Sequence, residues 1–308
     1  MDAYIFPGQG SQKVGMGSEL AGASAVARDT FEEVNDALGQ DLAKLMREGP
    51  EDELTLTANA QPAIMAHSIA VLRTLGVNVA DKASFVAGHS LGEYSAVFAA
   101  GGFDLATTAK LLRIRGDAMQ AAVPVGEGAM AALLGVDVTR ASEIAEAAAE
   151  EGEVCTVAND NDPGQVVVSG HKAAIERLVR LAKDMGAKRA ILLPVSAPFH
   201  CALMMPAQDR MAEAFAVNGP SDASIPVMQN VSASAARDAA TLERHLVEQI
   251  TGRVRWRECV LAMGEAGVTR FVEVGGKVLS PMVKKTLGDV ETVSLVSMAD
   301  IEAFAKEV

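Results

Sequence analysis

The chain has 308 residues, 49% of them hydrophobic, enough to bury a large core in one big domain or two smaller ones. A net charge of −13 disfavours a nucleic-acid partner, which needs a basic face. No apolar run reaches the roughly 18 residues of a membrane span, and no cationic segment followed by an apolar stretch marks a signal peptide, so a cytoplasmic protein without membrane contact is expected. The three cysteines, Cys155, Cys201 and Cys259, are far apart with no CxxC, which argues against a disulfide framework or zinc site. The five histidines (His67, His89, His171, His200, His245) show no metal-ligand spacing, so no metal is expected.

Residues 3–6 read as a short apolar strand. Pro7-Gly8-Gln9-Gly10-Ser11-Gln12 breaks it, and the two glycines around Gln9 let backbone N–H groups face outward, as in an anion-binding loop. The loop has neither the GxGxxG nor the GxxxxGKS/T pattern of a nucleotide site, and a plain strand-to-helix connection is the alternative. Residues 23–38 and 42–47 have helical composition. Gln61-Pro62 opens a further helix over 63–75, with apolar Ile64, Met65, Ile69, Val71 and Leu72.

An apolar, strand-like run then ends at Gly88, and residues 91–100 read as a helix ending at Gly101-Gly102. Between them lies Gly88-His89-Ser90-Leu91-Gly92, the Gly-x-Ser-x-Gly pattern of a nucleophile elbow. Such a serine sits at a strained turn, and the two glycines leave room where strand and helix backbones come close. The helix N-terminus points free N–H groups at any oxyanion formed there. Ser90-Leu91-Gly92-Glu93 also reads as a capping box, in which Ser90 does no chemistry. A cap needs neither the flanking glycines nor the preceding strand, and the two readings are compatible, with Glu93 supporting the helix start.

The next helix runs from Asp104, a candidate N-cap, to Val123. Leu105, Ala109, Leu112 and Met119 mark its inward face, and Arg115 falls on that face while Arg113 does not. A guanidinium among core-facing residues is costly unless paired with an anion. That anion is either an internal Asp or Glu or the substrate.

Between Pro124 and Pro194 the texture changes. Strands are expected over 129–136, 154–158, 166–169 and 190–193, and helices over 140–151 and 172–185, with Asn159–Gly164 (159–164) as a polar turn. The order βαββαβ is the ferredoxin-like pattern. A unit of 125–193 bounded by prolines reads as an insert into a larger domain formed by 1–124 and 194–308.

Phe199-His200 follows Pro198 in a loop at a strand end, where α/β proteins place catalytic groups, so His200 is the candidate base. His89 adjoins Ser90, but neighbours across such a turn point apart. Further on, a strand is expected over 225–230, helices over 242–250 (Thr241 as N-cap) and 257–266, a strand over 271–274, and a last helix after Gly275-Gly276. Strands alternating with helices imply a parallel sheet covered on both faces.

The ordered motifs Phe6-Pro7-Gly8-Gln9-Gly10-Ser11-Gln12, Gln61-Pro62-Ala63, Gly88-His89-Ser90-Leu91-Gly92-Glu93, Arg115-Gly116 with Met119-Gln120, Asn159 with Pro163-Gly164-Gln165, and Phe199-His200 resemble those of the malonyl-CoA:acyl-carrier-protein transacylases of fatty-acid synthesis. They cover nearly the whole chain. The resemblance implies an α/β fold: an α/β-hydrolase-like core with a parallel sheet plus an inserted ferredoxin-like subdomain. It implies Ser90 as nucleophile, His200 as base, and the amides of Gln9 and Leu91 as the oxyanion hole. Arg115 would clamp the malonyl carboxylate, with Gln61, Gln165, Phe199 and Asn159 lining the substrate site. Phe199 matches the malonyl-selecting branch. A backbone carbonyl near Arg255 would orient the histidine in place of a carboxylate. No bound cofactor is implied, only the substrates malonyl-CoA and holo-acyl carrier protein, on a monomer. That acidic partner needs a local basic patch, for which Lys188-Arg189 and Lys284-Lys285 are the candidates. Glu273-Val274-Gly275-Gly276-Lys277 is one residue shorter than the family's usual loop.

Three other readings compete. An α/β-hydrolase esterase shares the elbow but needs an acid and then a late histidine, and His245 has no such context. An acyl-enzyme hydrolase on the transacylase fold would show steady hydrolysis without a thiol acceptor. A non-catalytic carrier-binding module would have no use for both Ser90 and an inward Arg115.

Overall fold

The first strand, β1 (Asp2–Phe6), is apolar at every position from Ala3 on, and all four of those residues are fully buried. A strand of that composition has to be covered on both faces. In the computed structural model, which describes residues 1–307, it lies at the centre of a six-stranded sheet. Tyr4 and Phe6 face one core cluster while Ala3 and Ile5 face another, the period-two alternation of a strand between two helical layers.

On one side of β1 is β2 (Phe85–Gly88), in parallel register from Ala3 opposite Phe85 to Phe6 opposite Gly88. The antiparallel second sheet comes next in the chain, from β3 (Gly128–Leu134), β4 (Cys155–Asp162), β5 (Gln165–His171) and β6 (Arg189–Leu192). The chain then returns to the first sheet with β7 (Val227–Met228), β8 (Ala235–Ala236), β9 (Arg270–Val274) and β10 (Glu291–Leu295). The first sheet has the order β10-β9-β1-β2-β7-β8, parallel except for the last pair. The carboxyl ends of β1, β2 and β7 therefore open side by side, where open α/β sheets bind ligands.

The second sheet has the order β4-β5-β3-β6, the strand order of a ferredoxin-like unit, with helices Val138–Ala148 and Lys172–Leu181 packed on one face. Ala131, Leu133, Val166 and Val168 pack under those helices. Met130, Ala132, Ala158 and Val167, on the opposite face, belong to the large core.

Several elements depart from expectation for identifiable reasons. The helix over 23–38 is broken at Ser24, which leaves helical geometry (φ −125°) and accepts the Ala27 amide on its side chain to cap Ala25–Leu38. The helix read as opening at Gln61-Pro62 begins at Thr57 and keeps Pro62 inside. Nearly its whole circumference is buried, which outweighs the ~3 kcal/mol penalty of an internal proline. Asp238, not Thr241, caps helix Ala239–Glu248, because its carboxylate reaches the Thr241 amide. Leu279–Leu287 is not the last helix: β10 and helix Met298–Phe304 follow, the strand obscured by polar residues of a partly exposed edge.

The largest departure is the expected polar turn. Residues 159–162 are the buried end of β4, and only Pro163-Gly164 turns. Their polarity is matched from the first sheet's side of the molecule. Asp160 pairs with Arg257 at 2.9 Å, Asp162 with Lys285 at 3.0 Å, and Asn161 Oδ1 lies 2.8 Å from His89 Nε2. Asn159 bridges to Val254 in parallel, so one strand of the second sheet is continued by the chain of the first.

Candidate active site

The turn after β2 requires both of its glycines. A Cβ built on Gly88 would lie 2.0 Å from the Gly92 carbonyl, and one on Gly92 would lie 2.3 Å from the Phe6 oxygen. Between them Ser90 has φ 54°, a left-handed conformation unusual for a side-chain-bearing residue and held only by its surroundings. Its amide donates to Asn230 Oδ1 at 2.8 Å, and Asn230 Nδ2 donates back to the Gly88 carbonyl at 2.8 Å. Asn230 comes from the loop after β7, the neighbouring strand. The capping-box reading fails here: Leu91 is the N-cap of helix Gly92–Ala99 and no side chain caps it. The Glu93 carboxylate turns inward instead and accepts the Asn230 amide at 3.0 Å and Gln249 Nε2 at 2.8 Å.

His200 also has positive φ, 57°, in the segment that returns from β6. Its Nε2 lies 2.7 Å from Ser90 Oγ, and its Nδ1 lies 2.9 Å from the Gln249 carbonyl. With Nδ1–H donating to that carbonyl, Nε2 is the free acceptor for the serine proton. Burial, then the Arg115 charge, pushes His200 down to about 3, so the ring rests neutral. The orienting carbonyl belongs to Gln249, not to Arg255. Gln249 ends helix Ala239–Glu248, where the last carbonyls have no intrahelical partner and are free to accept. Arg255 is engaged elsewhere, its guanidinium on Glu258 at 2.9 Å and its amide on the Asn230 carbonyl at 3.0 Å.

Arg115, 1% exposed, enters from helix Leu105–Ala122. Gly116 beside it lets that helix meet helix Thr57–Leu75, since a Cβ there would lie 2.6 Å from Ala58 Cα. Arg115 Nη1 donates to Gln61 Oε1 at 2.7 Å, and Nη2 to Gln249 Oε1 at 2.8 Å and Ser90 Oγ at 3.1 Å. Its Nε has no partner, and no carboxylate forms an ion pair with Arg115 among the described residues. Gln61 Nε2 continues to Thr57 Oγ1 at 2.8 Å, which donates to Gln9 Oε1 at 3.3 Å. Ser90, His200, Arg115, Gln61 and Gln9 thus form one hydrogen-bonded network, with Leu91 next to the serine. Among the described residues the Gln9 and Leu91 amides have no acceptor.

Phe199 is buried in the large core beside His200. Asn159 makes the Val254 bridge, and Gln165 sits opposite Asp162 and Leu134 at the β4–β5 hairpin. Among the described residues no hydrogen bond joins these last two to the Ser90 network. Gln249, Asn230 and Glu93 were missed from sequence. Gln249 had a readable signal, falling three residues after Leu246 and seven after Leu242 on one inward helix face, the same spacing that found Arg115. Among the described residues no cluster could hold a metal ion.

A family model described as an acyl transferase domain matches residues 3–301. The chain belongs to that family. It is 44% identical over 301 residues to a malonyl CoA-acyl carrier protein transacylase of Bacillus subtilis (strain 168), covering 97% of this chain and 95% of the relative. It is 42% identical over 306 residues to the protein of that name from Escherichia coli (strain K12), covering 99% and 98%. Among solved structures, an acyl-carrier-protein-S-malonyltransferase from Bartonella henselae superposes with a TM-score of 0.96 at 50% identity, covering 99% of this chain and 98% of that one. A malonyl-transacylase in complex with its type II PKS acyl-carrier protein gives a TM-score of 0.96 at 39% identity, covering 100% and 99%. The parallel sheet with a separate antiparallel sheet is thus the acyl transferase architecture.

Proposed function

We propose that this acyl transferase domain moves a malonyl group from malonyl-CoA to the phosphopantetheine thiol of an acyl carrier protein through a malonyl-serine intermediate. The observation that carries the reading is Arg115, a buried guanidinium with no carboxylate partner among the described residues, 3.1 Å from the Ser90 oxygen. The names of the relatives agree with it.

In this reading the Ser90 hydroxyl gives its proton to His200 Nε2 while Oγ attacks the thioester carbonyl. The Gln9 and Leu91 amides receive the oxyanion, each worth about 2.7–4 kcal/mol. CoA leaves with the proton from His200, and the carrier's thiol reverses the sequence. Arg115 holds the malonyl carboxylate, with Gln61 setting its orientation and Phe199, Asn159 and Gln165 contributing to the walls. No resident cofactor or metal takes part, and the setting is a cytoplasmic monomer.

Residues 1–124 and 194–308 act as the catalytic body and 125–193 as a smaller unit beside it. The carrier docks on the basic residues Lys188, Arg189, Lys284 and Lys285. Arg189 pairs with Leu134, Leu134 with Gln165, and Gln165 with Asp162, the ion-pair partner of Lys285. Arg189 and Asp162, which holds Lys285, thus stand three strand spacings apart, about 14 Å between backbones, at one end of the second sheet.

The test is intact mass after brief mixing with malonyl-CoA, beside Ser90→Ala. A malonyl-sized gain on the wild type alone, chased off by holo-carrier protein, is expected. Free malonate accumulating without an adduct would make the protein a hydrolase instead.

A further inference from the structure

A buried guanidinium without a counter-ion is costly, yet one carboxylate does reach Arg115 through a single amide. Glu93, fully buried, accepts Gln249 Nε2 at 2.8 Å, and Gln249 Oε1 accepts Arg115 Nη2 at 2.8 Å. With an acceptor-only carboxylate on one side and a donor-only guanidinium on the other, the amide stands one way round. We infer that Glu93 is the built-in counter-charge of Arg115, coupled to it through Gln249, and that an acyl carboxylate arriving on Arg115 makes Glu93 take up a proton. This rests on the reading of Arg115 as the carboxylate clamp.

The geometry leaves a place for that proton. Both donors to Glu93, Gln249 Nε2 and the Asn230 amide, fall on Oε2. Oε1 is buried with no hydrogen-bond partner among the described residues. A proton on Oε1 therefore breaks no bond in the relay, and Gln249 keeps its grip on both Arg115 and the Ser90 carbonyl, the latter at 3.0 Å.

Burial pushes Glu93 up to about 7, against the lowering influence of Gln249, Asn230 and Arg115. The titratable groups around it are Arg115 on helix Leu105–Ala122, Tyr94 on its own helix and Cys259 on helix Trp256–Glu265. Burial raises Tyr94 and Cys259, with the Glu93 charge acting in the same direction, so both stay protonated at neutral pH. His200 and His89 are lowered by burial and rest neutral. Arg115 is the cation that favours ionised Glu93, and a second carboxylate drawn onto that cation disfavours it. Binding then takes up a proton and is tighter at lower pH.

The experiment titrates malonyl-CoA onto Ser90→Ala, which cannot be acylated, at pH 6, 7 and 8. Acetyl-CoA runs alongside, since its CoA phosphates titrate alike but it brings no carboxylate. Relative to acetyl-CoA, malonyl-CoA should bind about fivefold more weakly at pH 8 than at pH 6. Its calorimetric enthalpy should depend on the buffer's ionisation enthalpy in the sense of proton uptake. Both effects should vanish in Ser90→Ala/Glu93→Gln, which should bind at pH 8 as tightly as its parent at pH 6. A malonyl-to-acetyl ratio flat with pH, or a pH dependence that Glu93→Gln retains, overturns the inference and leaves the Arg115 reading standing. No malonyl preference at any pH overturns both. If Glu93→Gln does not fold, the difference between malonyl-CoA and acetyl-CoA binding enthalpies on Ser90→Ala, measured in two buffers, decides the matter: a difference that is the same in both buffers overturns the inference.

Discussion

Replacing Arg115 by alanine tests the site most directly, because its consequences for two substrates point in opposite directions. In the wild type the guanidinium has no direct ion-pair partner among the described residues, so a malonyl carboxylate meets a desolvated, oriented donor group. Losing such a charge-assisted pair costs about 2–5 kcal/mol, a fall of roughly 30- to 4,000-fold in kcat/KM for malonyl-CoA. Acetyl-CoA brings no carboxylate and in the wild type makes no ion pair with the guanidinium, so it loses nothing of that kind. Arg115 also donates to Ser90 Oγ at 3.1 Å, so some rate is lost for both substrates. The ratio of the two kcat/KM values, measured with the same holo-carrier protein, removes that shared loss. The malonyl preference should collapse by at least 30-fold, about the lower bound above. A preference preserved within threefold would show that the carboxylate is read elsewhere and would refute the argument. The variant should fold, although Gln61 and Gln249 each lose a buried donor at about 1–3 kcal/mol.

Gly88→Ala should abolish the soluble folded protein or cost more than about 4 kcal/mol, since its Cβ would stand 2.0 Å from the Gly92 carbonyl; a mildly shifted thermal midpoint would contradict this. Gln249→Ala keeps the carbonyl that orients His200 but removes the amide between Arg115, Ser90 and Glu93; transfer should fall about 10- to 100-fold, with Ser90 still acylated by a reactive ester. Burial lowers His67 to about 4 and His200 to about 3. The unfolded chain binds both protons below about pH 6.5, so stability should fall as pH drops from there toward 4. His67→Gln should lose part of that fall, read as Tm at pH 5 against pH 8.

What the sequence made legible was local chemistry. Gly88, Ser90 and Gly92 announce their turn because the strain they tolerate depends on residue type at three positions within five consecutive residues. Arg115 announced itself by helical spacing. The supports of Ser90 did not, because Asn230 and Gln249 lie 140 and 159 residues away and act through packing that no short pattern encodes. Residues 159–162 misled for a related reason. Four consecutive polar residues have turn composition, and only the opposing Arg257, Lys285 and His89 make them a strand end. Arg255 was assigned by the right logic at the wrong place: a carbonyl does orient the histidine, but the free one lies at the end of the preceding helix.

The order in which the chain supplies its site has a bearing on synthesis. Ser90 is made early, His200 later, and the Asn230 and Gln249 groups that fix their geometry only near the end. During translation the serine therefore waits 110 residues for its base and 159, more than half of the 308-residue chain, for the last of its supports. At about 5–20 residues per second the emerging polypeptide spends roughly 8–30 seconds between Ser90 and Gln249 as a polymer with no competent nucleophile. The site is complete only when the strand and helix ends that carry Asn230 and Gln249, in the last third of the protein, pack against the turn at Ser90 in the first.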